Sequence, residues 1–113
     1  FGDGNQRRSF TYVGDVVKGI IKLMDIKDAE GQVINIGNSD ETTINELAEL
    51  VIKITKSKSQ IEHIPYEKAY GIGFEDMSRR KPDISKINKM IGFKPTIGIE
   101  EIVEQVVTYM KSI

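Results

Sequence analysis

An α/β fold is predicted for this chain of 113 residues, as a single domain (1–113) of about four helices and two to three short strands, and two observations predict it. Apolar residues recur with helical spacing in four stretches, which begin near Asp15, Thr43, Asp83 and Ile99. Between them lie short runs rich in β-branched or aromatic residues and bounded by Gly, Asn or Pro, the pattern of brief strands.

Residues 1–7 are turn-formers, with two glycines and Asn5, and read as a loop. Phe10, Tyr12 and Val13 alternate with polar residues, so a short strand is expected there, with Arg8 at its leading edge. A tight turn at Gly14 then leads to Asp15, expected to N-cap a helix of about three turns that carries Val17, Ile20, Ile21 and Met24. Gly31 ends the connection, and the β-branched run at 32–36 predicts a strand that stops at Asn38. Thr43-Ile44-Asn45-Glu46 spells a capping box at the head of a second helix, with Leu47, Ala48, Val51 and Ile54 on one face.

Residues 60–65 alternate well enough for an edge strand ended by Pro65. Residues 66–82 lack a period and predict a long loop, a length that in a domain of this size points to function or disorder. Asp83 is expected to cap a third helix that carries Ile84, Ile87 and Ile91 and closes at Gly92. From Ile99 to Met110 runs the cleanest amphipathic stripe of the chain.

Composition narrows the function classes. A net charge of −1 argues against a surface built for nucleic acid or anionic lipid. Without cysteine there is neither a disulfide framework nor a thiolate metal site, and His63 is the only imidazole, so no metal site is expected. No run is long and apolar enough to span a membrane, and no secretory pattern opens the chain; the cytoplasm is the expected compartment. The chain begins in mid-turn without methionine, and we expect it to be a piece of a longer protein.

Arg7 and Arg8 form one basic cluster, and Arg79, Arg80 and Lys81 another, about seventy residues away. Each precedes an aspartate that starts a helix, Asp15 or Asp83, which anchors the arginines near rigid elements. Two arginines from two loops suit a diphosphate, since each guanidinium gives parallel charge-assisted hydrogen bonds. Glu75 and Asp76 are expected to pair with Arg79 and Arg80. Gly71-Ile72-Gly73 is too short for a dinucleotide fingerprint, His63 reads as structural, and no tyrosine has a lysine at catalytic spacing. No catalytic set can be assembled.

At this point the segments are recognisable. Residues 4–17, Gly-Asn-Gln-Arg-Arg-Ser-Phe-Thr-Tyr-Val-Gly-Asp-Val-Val, resemble the stretch that opens the substrate-binding part of extended short-chain dehydrogenase/reductases of the nucleotide-sugar epimerase and dehydratase type. Residues 33–38 and 43–48 are similar to the strand and helix that follow it in that family. Arg79-Arg80-Lys81-Pro82-Asp83-Ile84-Ser85-Lys86 and Ile91-Gly92-Phe93-Lys94-Pro95 resemble its second signature. Gly14 departs from the pattern, where relatives often carry a polar residue.

The resemblance implies the substrate-binding half of a Rossmann-type enzyme and a UDP- or dTDP-sugar held by its diphosphate. Arg8 and Arg80 match the phosphate-gripping arginines, Gln6 and Arg79 lie in the binding loops, Phe1 falls where an aromatic adjoins the base, and Asp15 and Asp83 give structural support. The family's NAD loop and Tyr-x-x-x-Lys pair are not in this chain, which is therefore expected to bind no cofactor and to be inactive alone, with NAD used by the parent epimerase, dehydratase or decarboxylase. Stripped of the parent's other half, the chain is expected to self-associate. The rival reading is a stand-alone structural or protein-interaction domain without ligand.

Overall fold

Tyr12, and not Asp15, starts the first helix, because its carbonyl accepts the amides of Asp15 and Val16 at 3.1 and 3.2 Å. In the computed structural model, which describes residues 1–113, the elements run β1 (Arg7–Arg8), α1 (Val13–Met24), a 3₁₀ turn (Lys27–Ala29), β2 (Thr42–Thr43), α2 (Ile44–Thr55), α3 (Tyr66–Tyr70), β3 (Arg79–Arg80), α4 (Ser85–Ile91) and α5 (Ile99–Ser112). The architecture is α/β, with five helices and one small sheet of order β2-β1-β3. No helix is long and apolar enough to cross a membrane.

Three helices fall where their spacing put them. Thr43 completes the capping box of α2: its hydroxyl accepts from the Glu46 amide at 3.1 Å, and the Glu46 carboxylate accepts from the Thr43 amide at 2.8 Å. α4 closes at Gly92, whose φ of 66° is the left-handed conformation that glycine adopts freely. α5 runs the length of the last apolar stripe.

Other expectations are corrected. Residues 10–13 form no strand: the ladder is confined to Arg7 and Arg8, and the alternation instead sends Phe10 toward the apolar groove between α2 and α5 while the Tyr12 ring covers Gly14. Asp15 lies inside the first turn of α1 and is 3% exposed. It caps nothing there; its carboxylate accepts the Thr96 amide at 2.8 Å and the Thr96 hydroxyl at 2.7 Å. Asp83 keeps the expected kind of bond, accepting the Ser85 amide at 2.9 Å, although the regular helix begins two residues later.

Residues 32–36 are not a strand either. Lys86 donates to the Val33 carbonyl at 2.8 Å and to Gln32 Oε1 at 2.9 Å, and the Gln32 amide reaches the Ala29 carbonyl at 3.1 Å. β-propensity makes no ladder without a neighbouring strand. Residues 60–65 likewise lack a ladder, and a single amide, that of Gly2, reaches the Ile64 carbonyl. The loop expected at 66–82 contains the short helix α3 and strand β3.

Packing is organised as two helix pairs, α1 with α4 and α2 with α5. Ile87 of α4, Phe93 and Val103 of α5 are the buried apolar residues. Gly19 lets α1 approach closely: a Cβ at this position would stand 2.6 Å from Ile36 Cδ1 and 3.1 Å from the Phe93 ring. The layers leave much apolar surface open, including Val13, Val17, Ile20, Ile21 and Met24 along α1. The radius of gyration, 17.1 Å, exceeds the roughly 13 Å of a closed domain of this length.

Candidate functional site

Two strands of two residues each carry the arginines. β1 and β3 run parallel, with Arg7 opposite Arg79 and Arg8 opposite Arg80. Because side chains alternate along a strand, opposed residues share a face, so Arg8 and Arg80 belong to one face of the sheet and Arg7 and Arg79 to the other. On the Arg8 side opens a groove of about 790 Å³, lined among others by Ser9, Thr11, Lys81 and Asp83.

Arg8 is fixed by its surroundings. Its Nη1 donates to the carbonyls of Arg7 and Met77 at 2.7 and 2.8 Å, and its Nη2 to Asp76 Oδ2 at 2.6 Å. The same Oδ2 accepts the Tyr66 hydroxyl at 3.1 Å, and burial together with this bond to Asp76 raises the phenol's pKa above its usual 10.0. Arg80, by contrast, is exposed and makes no ion pair within the chain. The two arginines thus differ: one is held in place by protein groups, and the other has its donors open to a ligand.

Arg79 sits on the opposite face, where its Nε and Nη2 grip the Glu41 carboxylate at 2.7 and 2.5 Å. That hydrogen bond holds the Glu41 carboxyl below its ordinary range and raises the arginine's own pKa. The acids expected to pair with Arg79 and Arg80 therefore do otherwise: Asp76 reaches across to Arg8, and Arg79 takes Glu41. Neither Asp76 nor Glu41 was singled out as the partner it is. Arg8 and Asp76 are 68 residues apart, and only the β1–β3 pairing, invisible in two-residue strands, joins them.

Gln6 donates its Nε2 to the Phe1 carbonyl at 3.0 Å and so sets the position of Phe1. Phe1 meets Tyr70 edge-on at 5.3 Å, and Tyr70 stacks on Phe74 at 4.5 Å. These rings with Tyr66 form an aromatic cluster linked to Arg8 through Asp76, a feature the irregular sequence of 66–74 did not announce. His63 bonds Asn45 Oδ1 at 2.8 Å, and no group of three or more His, Cys, Asp or Glu side chains is arranged to hold a metal.

The family model described as GDP-mannose 4,6 dehydratase matches residues 1–106. The chain is 42% identical over its whole length to a UDP-N-acetyl-alpha-D-glucosaminuronate decarboxylase of Bacillus cytotoxicus, covering 35% of that protein. It is 34% identical over 96% of its length to UDP-glucuronic acid decarboxylase 1 of Danio rerio, covering 24% of it. Among solved structures, UDP-glucuronic acid 4-epimerase from Bacillus cereus, in complex with UDP-glucuronic acid and NAD, superposes with a TM-score of 0.84 at 27% identity, over 99% of this chain and 34% of that one. The chain spans about a third or less of the curated relatives it matches.

Proposed function

Because the chain belongs to the GDP-mannose 4,6 dehydratase family, among the NAD-dependent nucleotide-sugar epimerases and dehydratases of the extended short-chain dehydrogenase/reductase type, we propose that residues 1–113 are the nucleotide-sugar-binding portion of an enzyme that decarboxylates a UDP-hexuronic acid. The register that sets Arg8 opposite Arg80 on one face of β1 and β3 supports the diphosphate part of the reading, and the likeness to two UDP-uronate decarboxylases supports the reaction. Arg80, outside any ion pair, is free to grip a phosphate bidentately, and Arg8, oriented by Asp76 and the Arg7 and Met77 carbonyls, offers its remaining N–H groups to the same diphosphate. Phe1, held by Gln6, is the candidate neighbour of the base. Arg79, tied to Glu41, contributes by fixing the strand and its loop.

The residues of this chain do not fit NAD. Gly71 and Gly73 follow α3 and lead into an exposed loop, whereas a pyrophosphate cradle needs a strand before the glycines and a helix after them. No tyrosine is followed four residues later by lysine. We assign cofactor binding and the catalytic groups to the protein outside these residues, with the cytoplasm as its compartment. The apolar face of α1 is assigned to contact with that remainder, and to self-association when the chain is alone.

Titration calorimetry on the full-length protein tests the binding reading. UDP binds and uridine binds far more weakly; equal affinities would overturn the diphosphate grip. The reaction is tested by NMR of UDP-glucuronic acid and its N-acetylglucosamine counterpart incubated with protein and NAD. A UDP-pentose product from the first, with carbon dioxide, supports decarboxylation. A 4-epimer would instead support the epimerase reading suggested by the likeness to the Bacillus cereus structure. Neither binding nor turnover would leave the ligand-free interaction domain.

A further inference from the structure

A second groove, of about 870 Å³, lies against the first and shares its wall of Lys81, Pro82 and Asp83. Its charge is one-sided. Lys81, Lys89 and Lys94 line it, all exposed and none in an ion pair. Arg79 also lines it, but its charge is answered by Glu41. The one carboxylate among the lining residues is Asp83, which is turned to the Ser85 amide and whose pKa is lowered first by its bonds to Ser85 and in smaller part by the charge of Lys89. Lys89 is thus close enough to act on a residue of the diphosphate groove's own wall. In a chain whose net charge is −1, three exposed lysines outside any ion pair at the edge of that groove are a local excess of positive charge.

We propose that Lys89 and Lys94, with Lys81 at the passage between the grooves, form a basic vestibule that steers the anionic nucleotide-sugar into the Arg8–Arg80 groove, Lys89 and Lys94 raising its association rate without adding to the bound-state contacts. The inference rests on the diphosphate reading. A ligand bearing two or more negative charges is drawn by such a field over about one Debye length, roughly 8 Å at physiological salt. Field focusing of this kind raises on-rates by about tenfold or more and fades with ionic strength. Lys81 lines both grooves and marks the passage from one to the other.

Stopped-flow fluorescence on the full-length protein, with a fluorescent N-methylanthraniloyl UDP as probe, tests the vestibule. In Lys89→Glu/Lys94→Glu the association rate constant at low salt should fall by about three- to tenfold, the difference should shrink toward nothing at high salt, and the dissociation rate constant should stay unchanged. Lys89→Gln/Lys94→Gln should give a smaller loss of the same kind. The comparison pair is Lys53→Glu/Lys58→Glu, exposed positions that line neither groove. An unchanged association rate at low salt, an equal fall in the comparison pair, or an effect confined to dissociation would each overturn the proposal. If the unaltered protein binds the probe and Arg80→Ala does not weaken it, the diphosphate reading fails separately.

Discussion

Asp15 and Thr96, 81 residues apart, are joined by two hydrogen bonds: the Thr96 amide and hydroxyl both donate to the buried carboxylate. The contact ties the first turn of α1 to the segment that leads into α5. In a molecule with few buried apolar residues, such a polar link has an outsized share in the tertiary structure.

Replacing Asp15 with alanine should therefore destabilise the chain by about 2–4 kcal/mol, since two charge-assisted bonds are lost and a partly buried amide is orphaned. Thr96→Ala keeps the amide bond and should cost less, about 1.5 kcal/mol, the low end for one hydrogen bond to a charged group. Amide hydrogen exchange at Thr96 and urea unfolding together read both variants. Equal small losses would mean that the carboxylate is dispensable.

Arg8 and Arg80 should separate in their variants. Arg80→Ala should weaken UDP binding by about 1.5–3 kcal/mol, the worth of a hydrogen bond to a charged group, and leave stability alone. Arg8→Ala should weaken binding too, and should also loosen residues 71–78, because Met77 and Asp76 lose their donor. Calorimetry measures the first effect and proteolysis of that loop the second. A loop equally protected in both variants would refute the dual role of Arg8.

At Gly19 two effects compete. Alanine gains about 1 kcal/mol of helix propensity, but its Cβ must displace Ile36 and the buried Phe93 ring, an overpacking cost of about 1–3 kcal/mol. Net destabilisation is expected in thermal unfolding of Gly19→Ala. Adding Phe93→Leu should recover part of the loss, and strict additivity of the two changes would show that they do not meet.

What the sequence revealed and what it hid divide along the range of the interactions. The capping box at Thr43 and Glu46, the glycine stop at Gly92 and the stripe of α5 are local, and each was legible from residues within a few turns. The strands were misplaced because period-2 alternation records burial and not pairing: Phe10 alternates yet pairs with nothing, while Arg7 and Arg8, with no β-type pattern, form the central strand. Arg8 and Arg80 were found as a pair through family resemblance. Asp76 and Asp15 acquire their partners only through contacts 68 and 81 residues long.

Acid should weaken the fold through carboxylates that serve as hydrogen-bond acceptors. Backbone and side-chain bonds at Thr43 lower the pKa of Glu46 from about 4.5, and the bonds from Ser85 lower that of Asp83 from about 3.8. A lowered folded-state value means that the stabilisation is complete above the unfolded value and is lost as pH falls through the folded one. The transition midpoint should accordingly hold from pH 7 down to about 4.5 and decline below it. In Glu46→Gln the decline should be shallower, because the amide still caps Thr43 but no longer titrates. A midpoint that is flat to pH 3, or a slope unaltered by the substitution, would contradict the assignment.

The surface of α1 sets the behaviour of the chain by itself. Val13, Val17, Ile20, Ile21 and Met24 form an apolar stripe more exposed than covered, and Val33, in the unpaired run beside it, is 87% exposed. Apolar patches above a few hundred Å² are unusual on monomers, and an extended run without ladder partners offers free amides and carbonyls to another chain. The purified chain of residues 1–113 should therefore associate at micromolar concentration, with a mass by light scattering above that of one copy. Val17→Glu/Ile21→Glu places charges in the stripe without touching the buried Gly19 contact, and should return the mass toward a monomer. A monomeric wild-type chain with a cooperative thermal transition would show that the stripe tolerates water.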